Sequence, residues 1–397
     1  MFREVSGQAV ATLVRTFRDI TVAEDAVQDA FEVASDRWPR EGLPANPAGW
    51  IIATARNRAI DGARRSTRGR QLHEELARSQ LIEHTSGRGE PDPGPVSDDQ
   101  LRLIFTCCHP ALRTEHQVAL TLRLLGGLTV GEIARSFLVS EAAMAKRLVR
   151  AKYKISAAKI PYRVPAAADL PDRLRSVLSV LYLIYTTGSD DSDRGSLRSD
   201  AIRLSRALVA LMPDEPEAAG LLALMLLSES RAGARRAGAD VVLLRDQNRA
   251  TWDRAMIEEG HTIVRSCIRR ARPGPFQLQA AIQAVHCAAP TFEETDWRQI
   301  VTIYGQLQAL APTPVVALNR AIAIGEVDGP EVALTELDAL AVELDGYHLL
   351  HAARGNALHR LGRHREAESA YRRAADLAPG EAERRFLARQ VDELAQA

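Results

Sequence analysis

Apolar residues at the start of the chain recur at intervals of three and four. Val10, Leu13, Val14 and Phe17 fall on one face of a first helix. A second helix is predicted from Thr21, as N-cap, with Glu24 three residues later completing a capping box. Its buried side runs through Ala26, Val27, Ala30, Phe31 and Ala34 to Trp38, where Pro39 ends it. Leu43 to Gly49 carries two prolines and a glycine and reads as a loop. A third helix follows from Trp50 to about Arg65, its inner side Trp50, Ile51, Ala55, Ala59 and Ile60. Residues 84–97 hold three prolines and three glycines, a composition that predicts a linker. Helical spacing resumes from Ser97 to about Ile160. Pro161 and Pro165 then mark a boundary, and the remainder is helical apart from a polar break at Gly188–Ser199. Alternating strand patterns are nearly absent and aromatics are only 5% of the chain, so the expected fold class is all-α.

A period emerges near the end. Ala321, Ile324, Ala333, Leu337 and Leu340 recur 34 positions later as Gly355, Leu358, Ala367, Tyr371 and Ala374. Helix pairs with small residues at their crossings and this period are the mark of tetratricopeptide (TPR) repeats. Tyr304 with Leu310-Ala311-Pro312 echoes Tyr371 with Leu377-Ala378-Pro379. Between 170 and 300 the pattern is thinner, and an unrelated helical bundle remains open there.

Net charge is zero over 397 residues, yet residues 1–160 hold 23 basic against 19 acidic side chains and the rest is acidic. The bias is mild and suits a polyanion partner for the front half. Four cysteines without a CxxC pair argue against a disulfide scaffold. With neither a signal-like start nor an apolar run of membrane length, the chain is expected in the cytoplasm.

Residues 128–154 carry the sharpest local pattern. Thr129 caps a short helix with Ile133, Ala134 and Phe137 inside; Leu138 and Val139 make a tight turn; Ser140 caps a second helix with Met144, Leu148 and Ala151 inside. That is a helix-turn-helix, a unit that lays its second helix in the major groove. Lys146, Arg147, Arg150, Lys152 and Lys154 share the other side, and 129–159 holds seven basic residues against two acidic. Ser140, Glu141, Lys146 and Arg147 are placed for bases or phosphates, Arg150 and Lys152 for phosphates. A second basic cluster is Arg56, Arg58, Arg64, Arg65, Arg68 and Arg70, beside Trp50 and the Pro/Gly loop. Such a set suits unstacked single-stranded bases, although by itself it reads as well as an ordinary charged helix end.

Taken together, residues 23–31 (Ala-Glu-Asp-Ala-Val-Gln-Asp-Ala-Phe), residues 50–61 (Trp-Ile-Ile-Ala-Thr-Ala-Arg-Asn-Arg-Ala-Ile-Asp) and the helix-turn-helix, in that order, resemble regions 2 and 4 of extracytoplasmic-function sigma factors. The remainder resembles the TPR extension of a sigma-24-like subgroup, through Tyr182-Leu183-Ile184-Tyr185, residues 211–217, and Leu243-Leu244-Arg245-Asp246-Gln247-Asn248-Arg249 with Trp252. Thr186-Thr187-Gly188-Ser189 departs from that subgroup's usual Asn-Glu-Gly-Tyr. The resemblance implies region 2 at 1–70, a linker at 71–97, region 4 at 98–160 and a TPR-like extension at 166–397. It implies that Asp25, Gln28, Asp29, Phe31 and Glu32 bind the β′ clamp helices of core RNA polymerase. Asn46, Trp50, Arg56, Asn57, Asp61, Arg64 and Arg65 would line the opened −10 strand. The helix-turn-helix would read the −35 duplex and rest on the β flap. The extension would regulate activity by contacting regions 2 and 4, and a small DGPF-type (YCII-related) protein is a partner suggested by resemblance alone. A stand-alone helix-turn-helix regulator or a TPR adaptor is the alternative; neither needs the acidic helix 23–36 together with the basic helix 50–65.

Other chemistry finds little footing. Cys107-Cys108-His109 with His116 lacks a second ligand pair at metal spacing, and Phe105, Cys107, Cys108 and Leu112 read better as core. His348, His351, His359 and His364 read as surface histidines. Asp190, Asp191 and Asp193 lack the glycine and terminal glutamate of a calcium loop. No phosphate-loop, dinucleotide or catalytic-triad pattern occurs. The expectation is a protein without enzymatic activity, cofactor or metal.

Overall fold

The computed structural model describes residues 2–65, 94–137, 139–187, 195–237 and 240–396. Arg68, Arg70, Leu138, Gly188, Ser189 and most of the predicted 84–97 linker lie outside them, as do the side chains of Arg64 and Arg65. The described residues are helical apart from one short antiparallel ladder, Arg236 with Val241 and Ala237 with Asp240. They form two compact units, Met1–Leu211 and Met212–Ala397.

The first unit opens with α1 (Phe2–Phe17), α2 (Ile20–Glu41) and α3 (Pro47–Arg65). The start of α2 differs from expectation. Asp19 is the N-cap, accepting from the backbone N–H groups of Thr21 (2.8 Å) and Val22 (3.3 Å), so Thr21 lies inside the helix. A carboxylate at the cap outdoes the hydroxyl two residues on, which leaves Glu24 available for other partners. Pro39 does not end α2. The helix runs to Glu41, because a proline in the last turn forfeits only one hydrogen bond, and Gly42 at φ 85° closes it. α3 starts three residues early: Pro47 takes its first position and Asn46 caps it, accepting from Gly49 N–H at 2.9 Å.

α4 (Gly94–Cys107) begins inside the predicted linker. α5 (Thr114–Leu120) runs into a π-helical turn, Thr121–Leu125. The helix-turn-helix follows as α6 (Val130–Ser136) and α7 (Glu141–Ala157), then α8 (Leu170–Thr187) and α9 (Gly195–Leu211). Cys107 and Cys108 are buried, as a core role requires, and burial pushes the Cys108 thiol up to about 12.

The helices before and after residues 66–93 share one core. α1 packs on α2 and α3 and also on α4 and the π-turn. Its buried residues Ala9, Val10, Ala11, Leu13, Val14 and Phe17 form a band wider than one stripe. At Gly7 an added Cβ would stand 3.1 Å from the Leu125 carbonyl oxygen, so the bare backbone permits that approach. Asp99 on α4 is 1% exposed and pairs with Arg15 of α1 and Arg102, both at 3.0 Å. A buried carboxylate costs several kcal/mol unless so paired. The Tyr162 hydroxyl lies 2.8 Å from the Ala11 carbonyl and 3.0 Å from that of Asp99, and donates between them. α8 and α9 are tied in too. Arg173 donates to the Phe105 carbonyl (2.6 Å), and Arg203 donates to that of Gly126 (3.0 Å).

The second unit starts at α10 (Pro216–Glu229), buried almost all round and flanked by α11 (Arg254–Arg269) and α12 (Pro275–Ala288). After α13 (Trp297–Leu310) the predicted period becomes visible. α14 (Pro314–Val327) and α15 (Pro330–Ala339) are followed, 34 residues on, by α16 (His348–Arg360) and α17 (His364–Leu377); α18 (Glu381–Gln396) covers the end. A Cβ at Gly355 would lie 2.8 Å from the Tyr371 ring, so the small residue at this crossing admits the aromatic.

The segment 243–253 is a structural clasp. Arg249 donates to the His286 and Ala289 carbonyls, both at 2.6 Å, and stacks 4.8 Å over Trp252. Those carbonyls lie at the end of α12, where the helix has no partners of its own. Arg249→Met is expected to lower the stability of the second unit by about 2 kcal/mol in urea unfolding, the cost of leaving two part-buried acceptors without their donor. Burial pushes the His286 pKa down to about 3, with Arg231 and Arg249 adding to it. The unfolded chain then binds a proton below pH 6.5 that the folded unit refuses, so stability falls as pH falls. From pH 6.5 to 5 the loss is expected to be about 2 kcal/mol, and His286→Gln flattens that slope in a pH series of melts.

Candidate nucleic-acid and polymerase interface

The helix-turn-helix is built as its sequence requires. The Thr129 hydroxyl accepts from Glu132 N–H (3.2 Å) while the Glu132 carboxylate accepts from Thr129 N–H (2.7 Å), a complete capping box. The Ser140 hydroxyl accepts from Ala143 N–H at 3.2 Å, so it starts α7. Met144, Leu148, Ala151 and Ile155 face inward.

The outer face of α7 separates the basic residues the sequence had grouped. Lys146, Arg150 and Lys154 are exposed one turn apart, with Glu141 exposed at the helix start. Arg147 is half-buried; burial lowers the His116 pKa, with the charges of Arg113 and Arg150 adding to it ahead of Arg147. Lys152 leaves the face altogether: its Nζ lies 3.0 Å from the Glu24 carboxylate of α2. Two apolar residues take a place among the cations, Val149 at 61% exposure and Tyr153 at 74%. Their spacing from Lys146 and Arg150 was the signal the sequence offered for them.

In α3, Ile51, Ala55 and Ala59 are buried, while Arg56, Asn57, Arg58 and Asp61 are exposed together. Trp50 is half-buried and meets Trp38 edge-to-face at 5.4 Å, which ties α3 to α2. Asn46 is spent as a cap, although its residue remains exposed. Leu43 projects from the loop at 64% exposure.

On α2, Asp25, Gln28, Asp29 and Glu32 are exposed and Phe31 is half-buried. The Asp25 carboxyl is raised by desolvation, with Glu24, Asp29 and Asp19 adding and Lys152 opposing. Gln28, Phe31 and Glu32 line a groove of about 510 Å³ whose far wall includes Arg123, Gly127 and Thr129. Among the described residues no helix is long and apolar enough to cross a membrane, and no cluster of three or more His, Cys, Asp or Glu could hold a metal.

Comparison with known families agrees with this architecture. Residues 1–69 match sigma-70 region 2, residues 102–155 match sigma-70 region 4, and residues 173–268 match a family of unknown function, DUF6596. Two sigma regions in order, on the helices just described, define a sigma-type transcription protein. The chain belongs to the sigma-70 family and carries an additional C-terminal helical-repeat domain. It is 44% identical to the uncharacterized protein R00370 of Rhizobium meliloti (strain 1021), over 98% of this chain and 93% of that one. Among solved structures it aligns with the TPR domain of P58(IPK) at 11% identity and a TM-score of 0.26, over 93% of this chain and 98% of that one.

Proposed function

We propose that this chain is an extracytoplasmic-function sigma factor. It binds core RNA polymerase through the acidic face of α2 and reads the −35 duplex with α7. It captures the −10 strand with the loop 43–49 and α3, and carries out no bond chemistry itself. The observation that carries the reading is the division of exposed charge in the first unit. Lys146, Arg150 and Lys154 form one basic face, Arg56 and Arg58 another, and Asp25, Asp29 and Glu32 an acidic one. Phosphates supply the affinity for the two basic faces, and bases supply the choice of site. Val149 suits a thymine methyl in the major groove. Leu43 suits a wedge between base steps, and capture of an extruded base repays the unstacking. Work beside polymerase places the protein in the cytoplasm.

The extension regulates this activity. Support comes from α8 and α9, which belong to the extension by sequence yet donate from Arg173 and Arg203 to carbonyls of the region 4 segment. A DGPF-type protein is the first partner to test against the repeat helices.

Run-off transcription with core polymerase and a promoter candidate tests the reading. Initiation that depends on the added full chain is expected. Duplex binding without initiation would instead make it a stand-alone regulator, and binding to neither would leave an adaptor.

A further inference from the structure

We propose that a cavity of the first unit, framed by the ends of α1 and α7 and by α4, is a binding site for a small-molecule phosphate monoester with an apolar or planar body. The site stands apart from the sigma reading above and needs neither polymerase nor DNA.

The cavity measures about 480 Å³, and small-molecule sites run from about 300 to 1,000 Å³. Its lining divides by chemistry. Arg15, Arg18 and Arg102 supply cations, while Val14, Ile20, Ile155 and Ile160 supply an apolar wall. Ile155 belongs to the inward stripe of α7, so the cavity lies off the outer face that carries Lys146, Arg150 and Lys154.

Charge is not balanced there. Asp99 offers one carboxylate to two guanidinium groups, Arg15 through Nε and Arg102 through Nη1, both at 3.0 Å. Arg18 meets no carboxylate among the described residues. Three guanidinium charges against one carboxylate leave two, and a phosphate monoester carries about two negative charges at pH 7. The fork of N–H donors on an arginine fits a phosphate with two bonds at once. Because Arg15 meets Asp99 through Nε and its side chain is 43% exposed, its two terminal nitrogens are left for a ligand.

The backbone and the wall support the same assignment. Among the described residues three non-glycines are left-handed, and two of them stand at this cavity: Arg18 (φ 52°) lines it and Lys159 (φ 50°) precedes the lining Ile160. Glycine takes such a place after a helix without strain. An arginine held there instead points to a use for its side chain, since strain of this kind gathers at ligand sites. Tyr162 is pinned between α1 and α4 by its bonds to the Ala11 and Asp99 carbonyls, and burial pushes its hydroxyl pKa up, so it stays a donor. That part of the wall is formed before any ligand arrives, which favours binding. Occupancy should raise the melting midpoint of the chain by mass action.

Titration calorimetry of the full chain at fixed salt tests the site with three probes: phenyl phosphate, adenosine monophosphate and inorganic phosphate. Both monoesters are expected to bind at least about tenfold tighter than inorganic phosphate, because only they cover the apolar wall. Arg18→Gln is expected to weaken both about tenfold. Arg163→Gln removes an exposed cation that follows Tyr162 without lining the cavity, and should leave both unchanged. Ile20→Trp fills the apolar side and should abolish monoester binding, with a melt to show that the variant folds. If it does not fold, the pair Arg18→Gln and Arg163→Gln decides. Monoesters no tighter than inorganic phosphate, or equal effects of those two variants, would mean a general attraction of anions and would overturn the site. Displacement of a bound monoester by duplex DNA would give the cavity to the nucleic-acid surface and overturn it as well.

Discussion

Replacing Lys146 and Arg150 together with alanine is expected to weaken binding of the holoenzyme to −35 duplex by about two to three orders of magnitude. Each residue is exposed on the outward face of α7, one turn from the other, and neither supports the core. Losing a contact to a base edge or a phosphate costs about 1–3 kcal/mol, and two separated contacts roughly add. If both side chains meet phosphates, the slope of log affinity against log salt also falls by about two. Stability should move by no more than about 0.5 kcal/mol, as for surface substitutions generally, and affinity for core polymerase should hold. Filter binding across a salt series, beside a melt of the same variant, reads all three. A variant that binds duplex like the wild type would remove α7 from the DNA and the −35 assignment with it.

The helix-turn-helix was legible because its determinants are local. A capping box and an N-cap act within three residues, and an inward stripe needs only the helical period. The same holds for the repeat at α14–α17, where a 34-residue spacing survives into the start of each helix. The sequence also put Cys107 and Cys108 in the core, where burial now accounts for them.

What stayed hidden depends on distance along the chain. Lys152 was grouped with the DNA-facing cations because it shares their helix, but a partner 128 residues earlier decides where it points. Glu24 was read as half of a capping box because Thr21 lies three residues before it. Asp19 took the cap and left Glu24 to Arg123. The shared core of α1 was masked by the composition of 84–97, which announces a separation in sequence and says nothing about what packs on either side. Gly7 was the one faint sign, a bare position in a helix where a closely approaching neighbour needs the room.

Phe17→Ala should destabilise the first unit by about 4 kcal/mol. Phe17 is among its largest fully buried side chains. Removing an aromatic from such a site costs about 3–5 kcal/mol, the upper end where the walls cannot collapse. Here they are held by α2 and α3 on one flank of α1 and by α4 and the π-turn on the other. For a unit of this length the melting midpoint should fall by roughly 10 °C. The distribution of the loss carries more information than its size. Because α1 belongs to both halves of the core, amide exchange should quicken in α4–α7 as well as in α2 and α3, as one cooperative opening. Two segments that merely hang on a tether would show the change in α1–α3 alone. That pattern, seen in the full chain without polymerase, would mean that the packing of α1 against α4 and the π-turn contributes nothing to stability in solution.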